Sequence, residues 1–397
     1  MTDGYLRPIV LLALASFASA ATTRITDPIL PQLADAYGVG IATVSMVATG
    51  YSLTYGCSQV FFGPVGDRYG KFRIILFACL GSALANALCG VASSLAMLEA
   101  ARLVSGLAAA CIVPLSIAWI GDAIPYARRQ GVLAGFITGQ ISGVLAGQAV
   151  GGLLGGAFGW RFVFLALSAV FAVVAIGLLA ELVVNRAARP AAAAARRSFL
   201  AGLGATFALI ARPDLRRLLL AVGIEGFAVF GPLTFVGAEM KARFGLSFTA
   251  VGLMLSAYAL GGLVYAVSAR RLVGALGQAR LAFAGAIVVA LALTVIALAA
   301  GKAVAFAGIA AIGLGFYMMH NTLQTVATQV APEARGAAVS LFATCFFVSQ
   351  AAGVFVGGRI LESAGGPVLF AGAAAIVVML GGGIYLWLRR WRLTELS

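Results

Sequence analysis

Twelve runs of roughly twenty apolar residues, divided by short polar joints, leave this chain few ways to fold. They lie near 8–34, 42–64, 74–93, 96–119, 131–156, 162–184, 216–240, 248–268, 281–299, 303–326, 337–358 and 368–388. At about 1.5 Å per helical residue each run crosses the ~30 Å hydrocarbon core of a bilayer. Backbone polar groups there find no water and must be bonded within the segment, so each run is expected to be a helix. A chain that is 62% hydrophobic and 10% charged, with a mean hydropathy of +1.04, could not hide that surface as a soluble domain. The expectation is an all-α membrane protein of twelve transmembrane helices. Its 50 glycines suit close helix packing, as in Gly143-x3-Gly147-x3-Gly151.

The net charge of +14 invites a nucleic-acid partner, but the positions of the basic residues argue against one. With the N-terminus inside, about twenty of the 27 Lys and Arg fall in cytoplasmic segments. Only Arg161, Lys241, Arg243, Lys302 and Arg359 fall outside. The charge therefore reports topology: a multi-pass protein of a bacterial-type inner membrane with both termini cytoplasmic. Anionic lipid is expected to attract the central arginines (Arg186, Arg189, Arg196, Arg197, Arg212, Arg216, Arg217) and the tail Arg389-Arg390-Trp391-Arg392. Arg7, an apolar run and Ala18-Ser-Ala20 also have the shape of a signal peptide, whose removal would leave eleven spans. The five cysteines lie within spans without paired spacing and read as small packing residues.

The chain repeats itself at an offset of about 207 residues. Pro125-Tyr-Ala-Arg128 recurs as Pro332-Glu-Ala-Arg335, Tyr51 as Tyr258, Gly38-Val39 as Gly245-Leu246, and Gly147-x3-Gly-Gly152 as Gly353-x3-Gly-Gly358. Two pseudo-symmetric six-helix bundles follow, over 1–184 and 216–397. They are joined by a cytoplasmic linker at 185–215 in which 199–211 is expected to form an amphipathic surface helix. Parallel repeats place a binding site between the halves, near the midplane, open alternately to either side.

The polar run Gly63-Pro-Val-Gly-Asp67-Arg68-Tyr-Gly70-Lys71-Phe-Arg73 sits between the second and third spans. Read as G-x-x-x-D-R-x-G-K, it resembles the corresponding loop of major facilitator transporters. The resemblance implies a cytoplasmic gate in which this hairpin meets the ends of helices 4 and 11, with Arg128 and Arg335 taking part. Phe72 stands where a second basic residue is expected, and the equivalent loop of the second half (270–280) has lost its acid.

Ionisable groups inside a bilayer are costly and so are functional candidates. Arg24 and Asp27, spaced i,i+3, share one helix face, and Pro28 and Pro31 break the helix beside them. Asp27-Pro-Ile-Leu-Pro31 resembles the D-x-x-L-P signature of drug:proton antiporters. Arg102-Leu-Val-Ser-Gly-Leu-Ala-Ala-Ala110 is similar to their helix 4 motif. An Asp27–Arg102 pair, shared with Arg24, is expected either as a proton-coupling device or as a fixed tie between helices 1 and 4. Glu225 lies near mid-depth in the seventh span, with no basic partner on its own face. It reads as a proton carrier, a receptor for a substrate cation, or a neutral carboxyl bonded to a carbonyl. In the fifth span Gln148 replaces the proline of the antiporter motif.

The resemblance places the cavity on helices 1, 4, 7 and 10, walled by 2, 5, 8 and 11. Tyr51, Gln140, Phe230, Tyr258, His320, Asn321, Gln324 and Gln350 are the expected substrate contacts, with aromatic faces for apolar parts and amides for hydroxyls. Met318, Met319 and His320 point about 100° apart on a helix and cannot converge on one metal ion. No nucleophile–base, metalloprotease or phosphate-loop pattern occurs, so no enzyme activity, metal or cofactor is expected. The resemblance implies a monomeric secondary transporter driven by the proton gradient. The expected activity is an antiporter exporting drug-like amphiphiles or sugars. A proton-coupled importer or sugar-type permease is the alternative within transport, and a sensor on the same scaffold the alternative outside it.

Overall fold

The computed structural model describes residues 3–185 and 199–395. The linker arginines 186, 189, 196 and 197 and the side chains of Gly63, Asp67 and Arg392 lie outside the described residues. The chain is helical almost throughout: α1 (Tyr5–Tyr37), α2 (Met46–Tyr69), α3 (Lys71–Gly90), α4 (Leu95–Ala123), α5 (Tyr126–Phe158) and α6 (Trp160–Val184) precede the linker. After it come α7 (Pro213–Phe244), one 51-residue run Phe248–Leu298, α10 (Lys302–Ala327), α11 (Arg335–Ala364) and α12 (Gly366–Glu395). The long run folds back at Gly277, with φ 68° and ψ 167°, so its arms 248–276 and 278–298 are α8 and α9. Among the described residues twelve long rods result, matching the twelve runs of the hydropathy pattern.

The polar hairpin is shorter than its sequence suggests. Helix α2 continues through Tyr69 and α3 starts at Lys71, so the turn is the single residue Gly70, at φ 92°. A side chain would strain that backbone. Gly277 makes the matching turn in the second half. The duplication is physical as well as textual. A Cβ on Gly106 would strike the Tyr51 carbonyl and one on Gly313 that of Tyr258, while Gly147 backs onto Ala21 as Gly353 backs onto Phe227. Equivalent small residues thus set equivalent close approaches, α4 on α2 and α10 on α8, α5 on α1 and α11 on α7.

Buried apolar side chains form two principal sets, one from Leu12 to Leu178 and one from Leu209 to Leu388 that also takes in Val60. The expected amphipathic helix is instead an apolar one. Phe199–Ala208 carries no charged residue; Leu209 beyond it is buried and Phe207 is exposed.

Between the two sets the seam is tightest at the end of the bundle away from the termini. There Gly152 and Gly252 meet backbone to backbone, Gly358 lies against Ala42, and Gly237 approaches the Asp27 carbonyl. The α2–α11 seam carries on through the midplane, where Gln350 Nε2 donates to Ser52 Oγ at 3.0 Å and Thr344 Oγ1 to the Gly56 carbonyl at 2.9 Å.

Candidate functional site

Helix α1 breaks where its charges lie. Regular α-helix stops at Arg24, a tighter 3₁₀ turn spans Asp27–Ile29, and the helix resumes at Leu30. Pro28 offers no backbone N–H and its ring crowds the preceding turn, which accounts for the change of winding. The break places Arg24 Nη1 3.2 Å from Asp27 Oδ2, with both side chains almost wholly buried. Asp27 therefore pairs with Arg24 and not, as the motif resemblance suggested, with Arg102. Arg102 is fully buried and donates from Nε to the Val47 carbonyl (3.4 Å) and from Nη2 to the Thr22 carbonyl (3.3 Å). Its guanidinium lies 4.1 Å over the Tyr51 ring. Carbonyl and π-face contacts hold it between α1, α2 and α4, and among the described residues it makes no direct hydrogen bond or ion pair with Asp27.

The other half contributes a second buried acid. Helix α7 widens into a π turn at Gly226–Phe230, directly after Glu225 and just before Pro232. Pro232 cannot donate to the Ala228 carbonyl, and the wider turn absorbs that missing bond. Glu225 Oε2 sits 2.8 Å from His320 Nδ1 on α10, and Glu225 Oε1 has no partner among the described residues. His320 stacks on Phe316 at 4.7 Å and is flanked by Phe346 at 5.0 Å and Phe342 at 5.3 Å. The sequence placed Glu225 and His320 in different roles; the structure joins them. The only local signal was a lone histidine and a partnerless acid in helices both expected at the cavity.

Phe230 connects the two acids. The Arg24 guanidinium lies 4.0 Å from its ring centroid, while Phe316 and Phe346, the rings flanking His320, meet Phe230 edge-on at 4.7 and 5.2 Å. Tyr258 meets the same ring at 5.9 Å. A cation of the first half therefore rests on an aromatic cluster of the second, beside the Glu225–His320 pair.

The remaining expected contacts scatter. Tyr51 is covered by Arg102, and Gln350 is spent on the α2–α11 seam. Asn321 and Gln140 are half-buried, and Gln324 is exposed. Gln148, in place of the motif proline, is fully buried with neither amide atom partnered among the described residues.

At the termini end, Lys71 Nζ pairs with Asp122 Oδ2 at 2.6 Å, tying the hairpin to the end of α4. Asp122 was missed in the sequence because it belongs to no motif. Arg68 lies over the Tyr69 ring, and Arg68, Arg73, Arg128 and Arg335 are exposed. Arg212, in the linker just ahead of α7, pairs with Glu333 of the second half. Among the described residues none of these arginines bridges the hairpin to α11, and the hairpin acid Asp67 lies outside them.

At the far end, the Ala42 N–H, in the short helix Ile41–Val44 that precedes α2, donates to Glu362 Oε1 of α11 at 2.8 Å. This bond crosses the seam. Replacing Glu362 with Ala removes about 1 kcal/mol of closure, a roughly fivefold shift toward separation at this end. Labels flanking the seam should report the shift, and an unchanged distance distribution would discount the latch.

The Major Facilitator Superfamily model matches residues 12–354 and 218–393. The chain belongs to that superfamily and is a multi-pass membrane transporter. Among relatives, an MFS-type transporter of Bacillus subtilis (strain 168), YceJ, is 24% identical over 377 residues, 93% of each chain. Multidrug export protein EmrB of Escherichia coli (strain K12) is 29% identical over 125 residues, 32% of this chain and 24% of that protein. Two solved structures share the fold. A bacterial homologue of the human lysosomal transporter Spinster matches with TM-score 0.78 at 17% identity, covering 97% of both chains. A point mutant of the nucleoside transporter NupG also gives 0.78, at 14% identity, covering 95% of this chain and 98% of that one.

Proposed function

We propose that this transporter is a proton-driven antiporter exporting small organic amphiphiles, and that it works in the bacterial cytoplasmic membrane with both termini inside. Six-helix units at 1–184 and 216–397, joined by 185–215, rock about the central acids. The observation that carries the reading is the buried Arg24–Asp27 pair resting on Phe230 of the opposite half. Protonation of Asp27 removes the counter-charge from Arg24, and a freed guanidinium has reason to leave the aromatic cluster for water or another acceptor. Proton occupancy and the contact between halves are then linked. Glu225 and His320 form a second exchangeable pair behind the same ring, able to pass a proton between carboxylate and imidazole. The drug-export relative, though matched over a short stretch, supports the outward direction.

Gln148 favours a second reading. An unpartnered amide where exporters of the resembled branch carry proline leaves room for a proton-coupled importer. Proteoliposomes loaded at acid pH with a pH dye decide between them. Amphiphiles and sugars added outside should draw protons out as substrate enters if the protein exchanges them, whereas proton movement with the substrate marks symport. Glu225→Gln is expected to lower coupled flux by about tenfold or more, as loss of one proton-transfer group does. Undiminished flux removes the second pair from the mechanism.

A further inference from the structure

Outside the central site, α7 and α12 enclose a cleft of about 380 Å³ that none of the roles above uses. One wall carries Arg217, Leu220, Ala221 and Ile224, and the other Ile376, Leu380, Gly383, Ile384 and Trp387. The spacing on each helix repeats every three or four residues, so each wall is one continuous face. From Ile376 to Trp387 the cleft follows α12 for about 16 Å. Its floor is buried and its rim is not: Leu220 is 66% and Met379 69% exposed. It therefore opens sideways, toward the surface that lipid covers.

Its chemistry is graded along its length. The deep part is aliphatic. The mouth, at the termini end, has Arg217 on one wall and Trp387 on the other, and the buried Trp387 Nε1 has no hydrogen-bond acceptor among the described residues. One turn beyond Trp387 the same face of α12 brings Arg390, which is exposed. Asp214 pairs with Arg217 at 2.8 Å and offsets part of the positive charge. Two arginines against one acid, an indole N–H and an aliphatic slot running into the membrane match a phosphodiester headgroup and its acyl chain.

We propose that this cleft binds one anionic phospholipid from the leaflet at the termini end. Its phosphate is held by Arg217 and the Trp387 N–H, and an acyl chain lies along Leu220–Ile224 and Ile376–Ile384. The bond to Trp387 supplies the acceptor that the indole lacks, and the chain fills an apolar gap between two helices that otherwise face lipid side by side.

The experiment uses the purified full chain in a neutral detergent titrated with dioleoyl phosphatidylglycerol or, as the uncharged-net comparison, dioleoyl phosphatidylcholine. Phosphatidylglycerol should raise the melting temperature at concentrations where phosphatidylcholine does not. Arg217→Ala should weaken that midpoint about fivefold, and Asp214→Asn should strengthen it. Trp387→Phe keeps the ring and loses the donor, so it should weaken binding without loss of fold. A phosphatidylglycerol with a diazirine in its acyl chain should label 220–224 and 376–384. Equal stabilisation by the two lipids, unchanged midpoints in both Arg217→Ala and Trp387→Phe, or labelling spread evenly over the lipid-facing helices would each overturn the assignment.

Discussion

Asp27→Asn is expected to reduce gradient-driven flux to the background of empty vesicles. The amide fills the same space but can neither carry a charge nor exchange it for a proton, so the step linking titration to the contact between halves is lost. Stability should fall as well, because Arg24 stays buried at 4% exposure without its counter-charge. Breaking one side of such a pair costs about 3–5 kcal/mol. The double variant Arg24→Gln/Asp27→Asn separates the two effects. It replaces the ion pair by two neutral amides able to bond each other and should recover much of the melting temperature while remaining inactive. Flux measured in proteoliposomes beside thermal unfolding reads both. Coupled flux surviving in the single variant would remove Asp27 from the mechanism, and flux recovering in the double variant would make the pair structural only.

The fold was legible because a membrane makes hydropathy decisive: a run of twenty apolar residues has one affordable conformation. The duplication was legible too, since Gly106 and Gly313, or Gly147 and Gly353, are kept by the same backbone approach in each half. Within the site, Arg24 and Asp27 could be paired from their spacing because they share one helix. What lay across helices could not. Glu225 and His320 are 95 residues apart on different helices, and no local pattern announces their meeting. The same limit explains Arg102, whose motif suggested an acid but whose neighbours in space are carbonyls of Thr22 and Val47. It also explains Asp122, Glu362 and Gln350, each of which acquires its role only from a residue on another helix. Polar residues in the cavity helices divide between seam and site by rotation about the helix axis. Rotation is set by packing, so Gln350, expected at the substrate, holds helices together instead.

Gly252→Leu tests whether the seam at the far end opens and closes. In this structure a Cβ on Gly252 would stand 2.6 Å from the Gln148 carbonyl oxygen and 2.7 Å from Gly152 Cα, so α5 and α8 cannot remain at their present separation with a side chain between them. Backbone is on both sides, and no flexible side chain can turn away. Overpacking of this kind costs about 1–3 kcal/mol. If the two halves exist in a second arrangement with this end apart, the cost falls on the closed state alone, which shifts the balance about 5- to 150-fold toward opening. Spin labels at Ala36→Cys and Ser247→Cys, exposed at this end in opposite halves, should then show a longer mean distance. The exposed Cys57 must be replaced first so that it takes no label. Transport should stall, because the cycle needs the closed state that the leucine obstructs. Gly274→Leu on the other end of α8, where a Cβ meets nothing within 4 Å, is the matched control and should transport normally. A Gly252→Leu protein that keeps both the short distance and full turnover would mean that α5 and α8 accommodate the side chain without parting. The far-end seam would then be a permanent joint and not a gate.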